Sequence, residues 1–397
     1  MHCDALVGYA WCRSSYVAIR SLHRLGLRVA AADIGKFGMG QCSKHISACY
    51  VHSNPQTSPE KFVDDIAAIL DDCGAGFYLP GHDEGEVVAQ YRDRLPRGVI
   101  VPLPEYETLA LANDKLKTVE LAEKLGVPVP RTVSWTTINE LKDKTAAIKG
   151  PFVIKLRRGS GAKGVFYAAD GDQLVSMISG LTDEFHLPPE RNPIVQQRVT
   201  GEGWGVSCLY HKGERIATFT HRRLREKITS GGTSTLRESA HNATLENYAH
   251  TLLDNLNWHG LAMVEFKWNL DTKQAWLMEI NPRLWGSIAL PVACGIDFPA
   301  MTYFAATKGP DRARKMSRDY EDGVIARWYL GDIILSVNYL REYKPVAALK
   351  TVLPGKEDIY DDLVKGDLRA TSAEFLSYLV RFMKYRSTNP LDRGHLG

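Results

Sequence analysis

The sequence is short of most features that would place it at a glance. It has seven cysteines, an odd number, and no Cys-x-x-Cys pair. Cys42-x-x-His45-x-x-x-Cys49 has a faint metal spacing, but no second cluster completes it, so reduced cysteines are expected. A formal charge of +3, with 24% charged residues, excludes a strongly basic nucleic-acid surface or a polybasic membrane face. The start, Met1-His2-Cys3-Asp4, lacks the basic segment of a signal peptide, so a cytoplasmic protein is expected. The apolar stretch Trp328 to Leu340 carries Asp332 and Asn338 and falls short of the ~20 residues a membrane span needs. It and the tail behind it offer either a homodimer face or a surface packed on the main body, the second being preferred. No internal repeat or low-complexity segment is visible.

What is present is enough material for two or three domains: 397 residues, 44% hydrophobic, at ~100–200 residues per domain. The first part alternates strand and helix signals: a strand Ala5–Tyr9, a helix Ser14–Leu25, a strand Leu27–Ala32, a helix Pro59–Leu70, and strands Phe77–Pro80 and Val99–Pro102. That alternation predicts a parallel α/β layer. Gly8-Tyr9-Ala10-Trp11-Cys12-Arg13 has no glycine fingerprint at the first turn, which argues against a dinucleotide cofactor there. Gly81-His82-Asp83-Glu84, after a strand, is the best functional candidate of this part. Asn113-Asp114-Lys115 opens a helix that Gly126 closes, and Val127-Pro128-Val129-Pro130 is an extended linker. A second α/β unit follows to Arg198, then a strand-rich unit to Pro310, then a mostly helical tail.

Three segments carry chemistry. In Met278-Glu279-Ile280-Asn281-Pro282-Arg283, strand alternation puts Glu279 and Asn281 on one face. A hairpin turn over Asn269–Lys273 brings Leu261–Trp268 alongside and sets Glu265 opposite Glu279. Opposed carboxylates repel, unless a divalent cation lies between them. Two carboxylates and an amide suit Mg²⁺ or Mn²⁺; the plain alternative is a hairpin with solvated acids. The second segment is the strand Pro151–Leu156, with Lys155, running into Arg157-Arg158-Gly159-Ser160-Gly161-Ala162-Lys163-Gly164 and another strand. A strand, not a helix, follows the glycines, so this is a hairpin able to fold over phosphate and not a dinucleotide loop. The third is His221 to Ser234, where Arg222, Arg223, Arg225 and Lys227 crowd a Ser230-Gly231-Gly232 loop. Its cations suit a carboxylate or acyl phosphate.

In their order and spacing, Asn113-Asp114-Lys115, Phe152–Lys155, the glycine hairpin, Gln196-Gln197-Arg198-Val199-Thr200-Gly201-Glu202, Val264-Glu265-Phe266 and Glu279–Arg283 resemble the ATP-grasp superfamily. The nearest likeness is to its carboxylate–amine ligase branch and to carbamoyl-phosphate synthase large-chain modules. The resemblance implies an α/β fold: a pre-ATP-grasp domain (residues 1–112), a two-lobed ATP-grasp domain (113–310, with an α+β lid at about 132–198), and a helical extension (311–397). It implies that Lys115 and Lys155 hold ATP phosphates under a lid containing Gly159, Ser160, Gly161 and Gly164. Gln196, Gln197 and Val199 would line the adenine and Glu202 would reach the ribose. Glu265, Glu279 and Asn281 would hold Mg²⁺, and Arg283 would face the transferred phosphoryl group. His221, Arg222, Ser230, Gly231 and Gly232 would meet the substrate, with Arg222 also catalytic. The sequence departs from the family where its hinge glutamate is Gln196 or Gln197, and where Gly203 takes the place of a ribose-binding acid. The implied activity is ATP-dependent ligation of a carboxylate to an amine (or a thiol) through an acyl phosphate, releasing ADP and phosphate, on amino-acid or other small-molecule substrates. A kinase or carboxylase is the alternative, and a non-catalytic nucleotide-binding protein a third reading.

Overall fold

A computed structural model describes residues 2–159, 164–185, 187–228, 231–353, 355 and 359–385. Ser160, Gly161 and Ser230, named above, lie outside the described residues. The first layer is a parallel sheet ordered Ala48–Val51, Val29–Asp33, Ala5–Val7, Phe77–Leu79. Its two inner strands are buried along their whole length, as expected when helices cover both faces. Val99–Pro102 is not a strand of this sheet: Ile100 makes only a single bridge to Phe77. Ala48–Val51 was not expected; it is an edge strand of only four residues with alternate residues exposed, too short to show a strand period.

A four-stranded antiparallel sheet forms the second layer, ordered Thr132–Val133, Ile194–Gln197, Phe152–Lys155, Val165–Ala168. The helices Ile138–Thr145 and Gly171–Phe185 cover it, and Phe152, Ile154, Leu174, Ile178 and Val195 make its own core. The third sheet has seven strands: Ala275–Asn281, Gly260–Trp268, Glu202–His211, Glu214–Ile228, Gly231–Ser239, Ile325–Arg327 and Ile359–Tyr360. Its last two strands come from the tail, which is otherwise helical, including Tyr329–Arg341 and Leu368–Tyr385. These strands are too short to show a period of two. Trp328, Leu330 and Ile334 are buried against Phe375 and Tyr378 of the last helix, so the apolar segment of the tail packs within the chain. No helix among the described residues is long and apolar enough to cross a membrane.

The site hairpin is held from behind. Val264, Phe266, Leu277 and Ile280 all enter the core shared with the first layer. In an unbroken strand Leu277 and Ile280 would face opposite ways. They share a face because the register shifts: Phe266 pairs with Leu277 but Glu265 pairs with Glu279, leaving Met278 as a bulge. The turn is also offset, since Trp268 pairs with Ala275. The two irregularities cancel at the carboxylates, which is why Glu265 faces Glu279 as simple counting expects.

Candidate active site

The three sheets and the first-layer loops enclose a cavity of about 550 Å³. The second sheet contributes Val153, Lys155, Val165 and Tyr167, and the third contributes Arg223, Glu265, Lys267, Glu279 and Asn281. Tyr9, Trp11, Cys12, Arg13, Ser14 and His82 enter from the first layer, just past the C-terminal ends of the adjacent strands Ala5–Val7 and Phe77–Leu79. Crevices at strand C-termini are the usual ligand positions of parallel α/β sheets.

Each charged residue is fixed by its element. Asp114 caps the helix Lys115–Lys124, accepting from the amides of Leu116 and Lys117, which puts Lys115 in the first turn. Arg157 grips the same carboxylate at 2.9 and 2.5 Å, and its carbonyl accepts from the Lys115 amide at 2.9 Å. Lys115 Nζ donates to the Gly159 carbonyl at 2.7 Å and lies 3.9 Å from Glu279. Lys155 ends a strand whose Phe152 and Ile154 face the sheet's core, so Val153 and Lys155 face the cavity. Burial pushes the Lys155 ammonium down to about 8, against the pull of Glu279.

The carboxylates are tied together. Asn281 Nδ2 donates to Glu265 at 3.1 Å and to Glu279 at 3.3 Å. Its Oδ1 accepts from Arg283 Nη2 at 2.8 Å, and Arg283 Nε lies 3.3 Å from Asp83. Arg223 Nη2 meets Glu265 at 2.5 Å. Burial raises the Glu265 carboxyl, Arg223 opposes that rise, and Glu279 adds to it. The Arg223 guanidinium loses by burial but is raised above its ordinary value by Glu265 and Glu226. Two hard-oxygen carboxylates balanced by Arg223 and Lys115 fit a divalent cation in donor chemistry. Among the described residues no third acid, histidine or cysteine joins them. As placed, Asn281 turns its N–H side to the acids, so a ligand role for its oxygen requires the amide to turn over.

Lys115, Lys155, Gly159, Gln196, Gln197, Val199, Gly232, Glu265, Glu279, Asn281 and Arg283 line the cavity. Four predicted residues among those described do not. Arg222 faces Glu238 and lies 3.8 Å from Glu202, so these two occupy each other outside the cavity. His221 is buried against Ser287 at 3.2 Å, with burial holding its imidazole well below the ordinary value. Alternation explains the swap: Arg223, the next residue, reaches the cavity, and Gly203 leaves room for it, since a Cβ there would come within 2.9 Å of its Cδ. Gly164 also lies outside the lining. Of the Gly81–Glu84 candidate, His82 lines the cavity, while Glu84 accepts from the Gly81 amide and burial raises it to about 7. Nothing in the sequence singles out Arg223 among the cations of its strand as the one that turns inward, or marks Trp11, Arg13 and Tyr378 as cavity residues.

The chain is similar to known proteins over parts of its length. The chain is 24% identical to rice acetyl-CoA carboxylase 1 over 217 residues, 47% of this chain but only 9% of that protein's length. It is 24% identical to carbamoyl-phosphate synthase of Methanobrevibacter smithii over 217 residues, 53% of this chain and 57% of the other. Among solved structures, L-amino acid ligase from Bacillus licheniformis superposes with a TM-score of 0.62 at 13% identity, covering 81% of this chain and 78% of that one. Residues 112–287 match the family model of the ATP-grasp domain, and the chain accordingly carries an ATP-grasp domain.

Proposed function

We propose that the protein is an ATP-dependent carboxylate–amine ligase acting in the cytoplasm on small-molecule substrates, with the chain divided at about residues 112 and 310. The observation that carries this reading is the convergence of the opposed Glu265 and Glu279 with Lys115, Lys155 and Arg283 around one cavity. Lys115 and Lys155 pair with the phosphates, and Val153, Val165 and the 196–199 strand end receive the adenine. Glu265 and Glu279 hold Mg²⁺, with Asn281 orienting them; when bound, the ion supplies the divalent charge that offsets the phosphate oxygens. Arg283, its guanidinium fixed by Asn281 and Asp83, faces the transferred phosphoryl group.

The acid's carboxylate oxygen attacks the γ-phosphorus and ADP leaves. The amine nitrogen then attacks the acyl carbon, phosphate leaves with the C–O bonding pair, and the nitrogen gives up a proton. Positioning and charge stabilisation are the main demands of the first step, and a lid that excludes water is the demand of the second. The test is phosphate release from ATP and Mg²⁺ with pairs of acids and amines. The ligase reading expects release to require both and an amide to form. A stable phosphorylated product from one substrate would establish a kinase instead, and release driven by bicarbonate a carboxylase.

A further inference from the structure

The end of the cavity built by the first layer and the tail has its own chemistry. It contributes three aromatic side chains, Tyr9, Trp11 and Tyr378. Tyr9 meets Trp11 edge to face with centroids 5.5 Å apart, and Trp11 lies 6.1 Å from Tyr378. Tyr378 comes from the last helix, Leu368–Tyr385, which packs on Trp328 of the same tail. All three rings are half-buried, with part of their surface open.

A cation sits beside these rings. Arg13 also lines this end, yet it is only 5% exposed. Its guanidinium lies 3.8 Å from the Trp328 ring centroid. Its Nε faces Asp361 at 3.5 Å but makes no hydrogen bond, and among the described residues no other part of the guanidinium makes one. Asp361 is itself shared with the buried Arg237. Gly286 leaves the Arg13 fork open, since a Cβ there would come within 2.8 Å of Nη2. A buried guanidinium with unused donors is the group that recognises a carboxylate in a planar, two-pronged contact.

Resting on the ligase reading above, we propose that this end is a substrate subsite for a small carboxylate bearing an aromatic ring. Arg13 pairs with the carboxylate, and the ring packs against the open faces of Trp11 and Tyr378. The tail therefore sets substrate choice by supplying Tyr378, while Asp361 is a positioning residue that holds Arg13. Offset or edge-to-face packing against two rings favours an aromatic group over a methyl group.

Calorimetry tests this with two probe pairs, L-phenylalanine against L-alanine and 3-phenylpropanoate against propanoate, in the presence of Mg²⁺ and ADP. The expected result is that the aromatic member of at least one pair binds the native protein at least about tenfold more tightly. Tyr378→Ala and Trp11→Leu should each remove most of that preference and Tyr378→Phe should keep it, with ADP affinity the same in all. Equal or no binding of the aromatic probes to the native protein would overturn the proposal. So would a preference that survives both ring deletions. Failure to bind ADP would strike the ligase reading instead and leave the ring preference as a separate result.

Discussion

Two regions of the molecule set opposite charges at close quarters. Around Asp332, which is fully buried, Arg225 donates at 2.9 and 2.5 Å and Arg327 at 2.6 Å. Around Glu265 and Glu279, Arg223 lies 2.5 Å from Glu265 and Lys115 3.9 Å from Glu279, and these carboxylates open onto the cavity. Arg223 and Arg225 belong to one strand. They part because the register shifts between them and leaves Leu224 as an exposed bulge. The closed cluster has all its charge committed within the chain and holds the tail to the third sheet. The open cluster has two carboxylates and two cations facing a space that a ligand can enter. The contrast separates ion pairs that stabilise a fold from charges arranged for chemistry.

Variants of the two clusters should therefore fail in different ways. The largest effect is expected from Arg223→Met, which should lower ATP turnover about a hundredfold, as loss of one well-placed electrostatic contact does. Arg222→Ala should change turnover no more than about twofold, because it pairs only with Glu238 and Glu202, outside the cavity. Steady-state rates of the two variants decide this, and equal losses would break the contrast. Next comes Asp332→Ala, expected to cost about 3–5 kcal/mol in chemical denaturation by leaving buried arginines without that carboxylate, while turnover per folded molecule stays near the native value.

Smaller effects follow from protonation. Lys155 sits at about 8, so nucleotide binding that uses its charge should weaken as pH rises through that value. Without ligand the sign for stability is opposite: between about 8 and the ordinary lysine value the unfolded chain holds the extra proton, so stability rises with pH. Lys155→Arg should move the weakening of ADP affinity to higher pH. Glu374 is buried in the tail, and its carboxyl is pushed up to about 8. The folded chain holds that proton, so its contribution is full below the ordinary carboxyl range and is lost as pH rises through about 8. Glu374→Gln should flatten this fall in stability, read as the urea midpoint across that pH range.

The carboxylate hairpin was legible because polar residues in an apolar strand stand out, and because a turn offset and a bulge cancelled at Glu265 and Glu279. Arg223 was not legible: choosing among adjacent arginines needs the strand's face, and the bulge at Leu224 resets that face within the segment. The parallel layer showed in its buried strands, while the edge strand Ala48–Val51, four residues long and half exposed, was too short to register. Tyr378 and Arg13 lie at opposite ends of the sequence, and nothing local to either says that they share a cavity.

The central claim is that Glu265 and Glu279 form the metal end of a nucleotide site. Calorimetric titration of ADP with and without Mg²⁺, in the native protein and in Glu279→Gln, tests it most directly. The native protein should bind ADP more tightly with Mg²⁺, and the variant should lose that gain while remaining folded. An undiminished Mg²⁺ dependence in Glu279→Gln would contradict the claim.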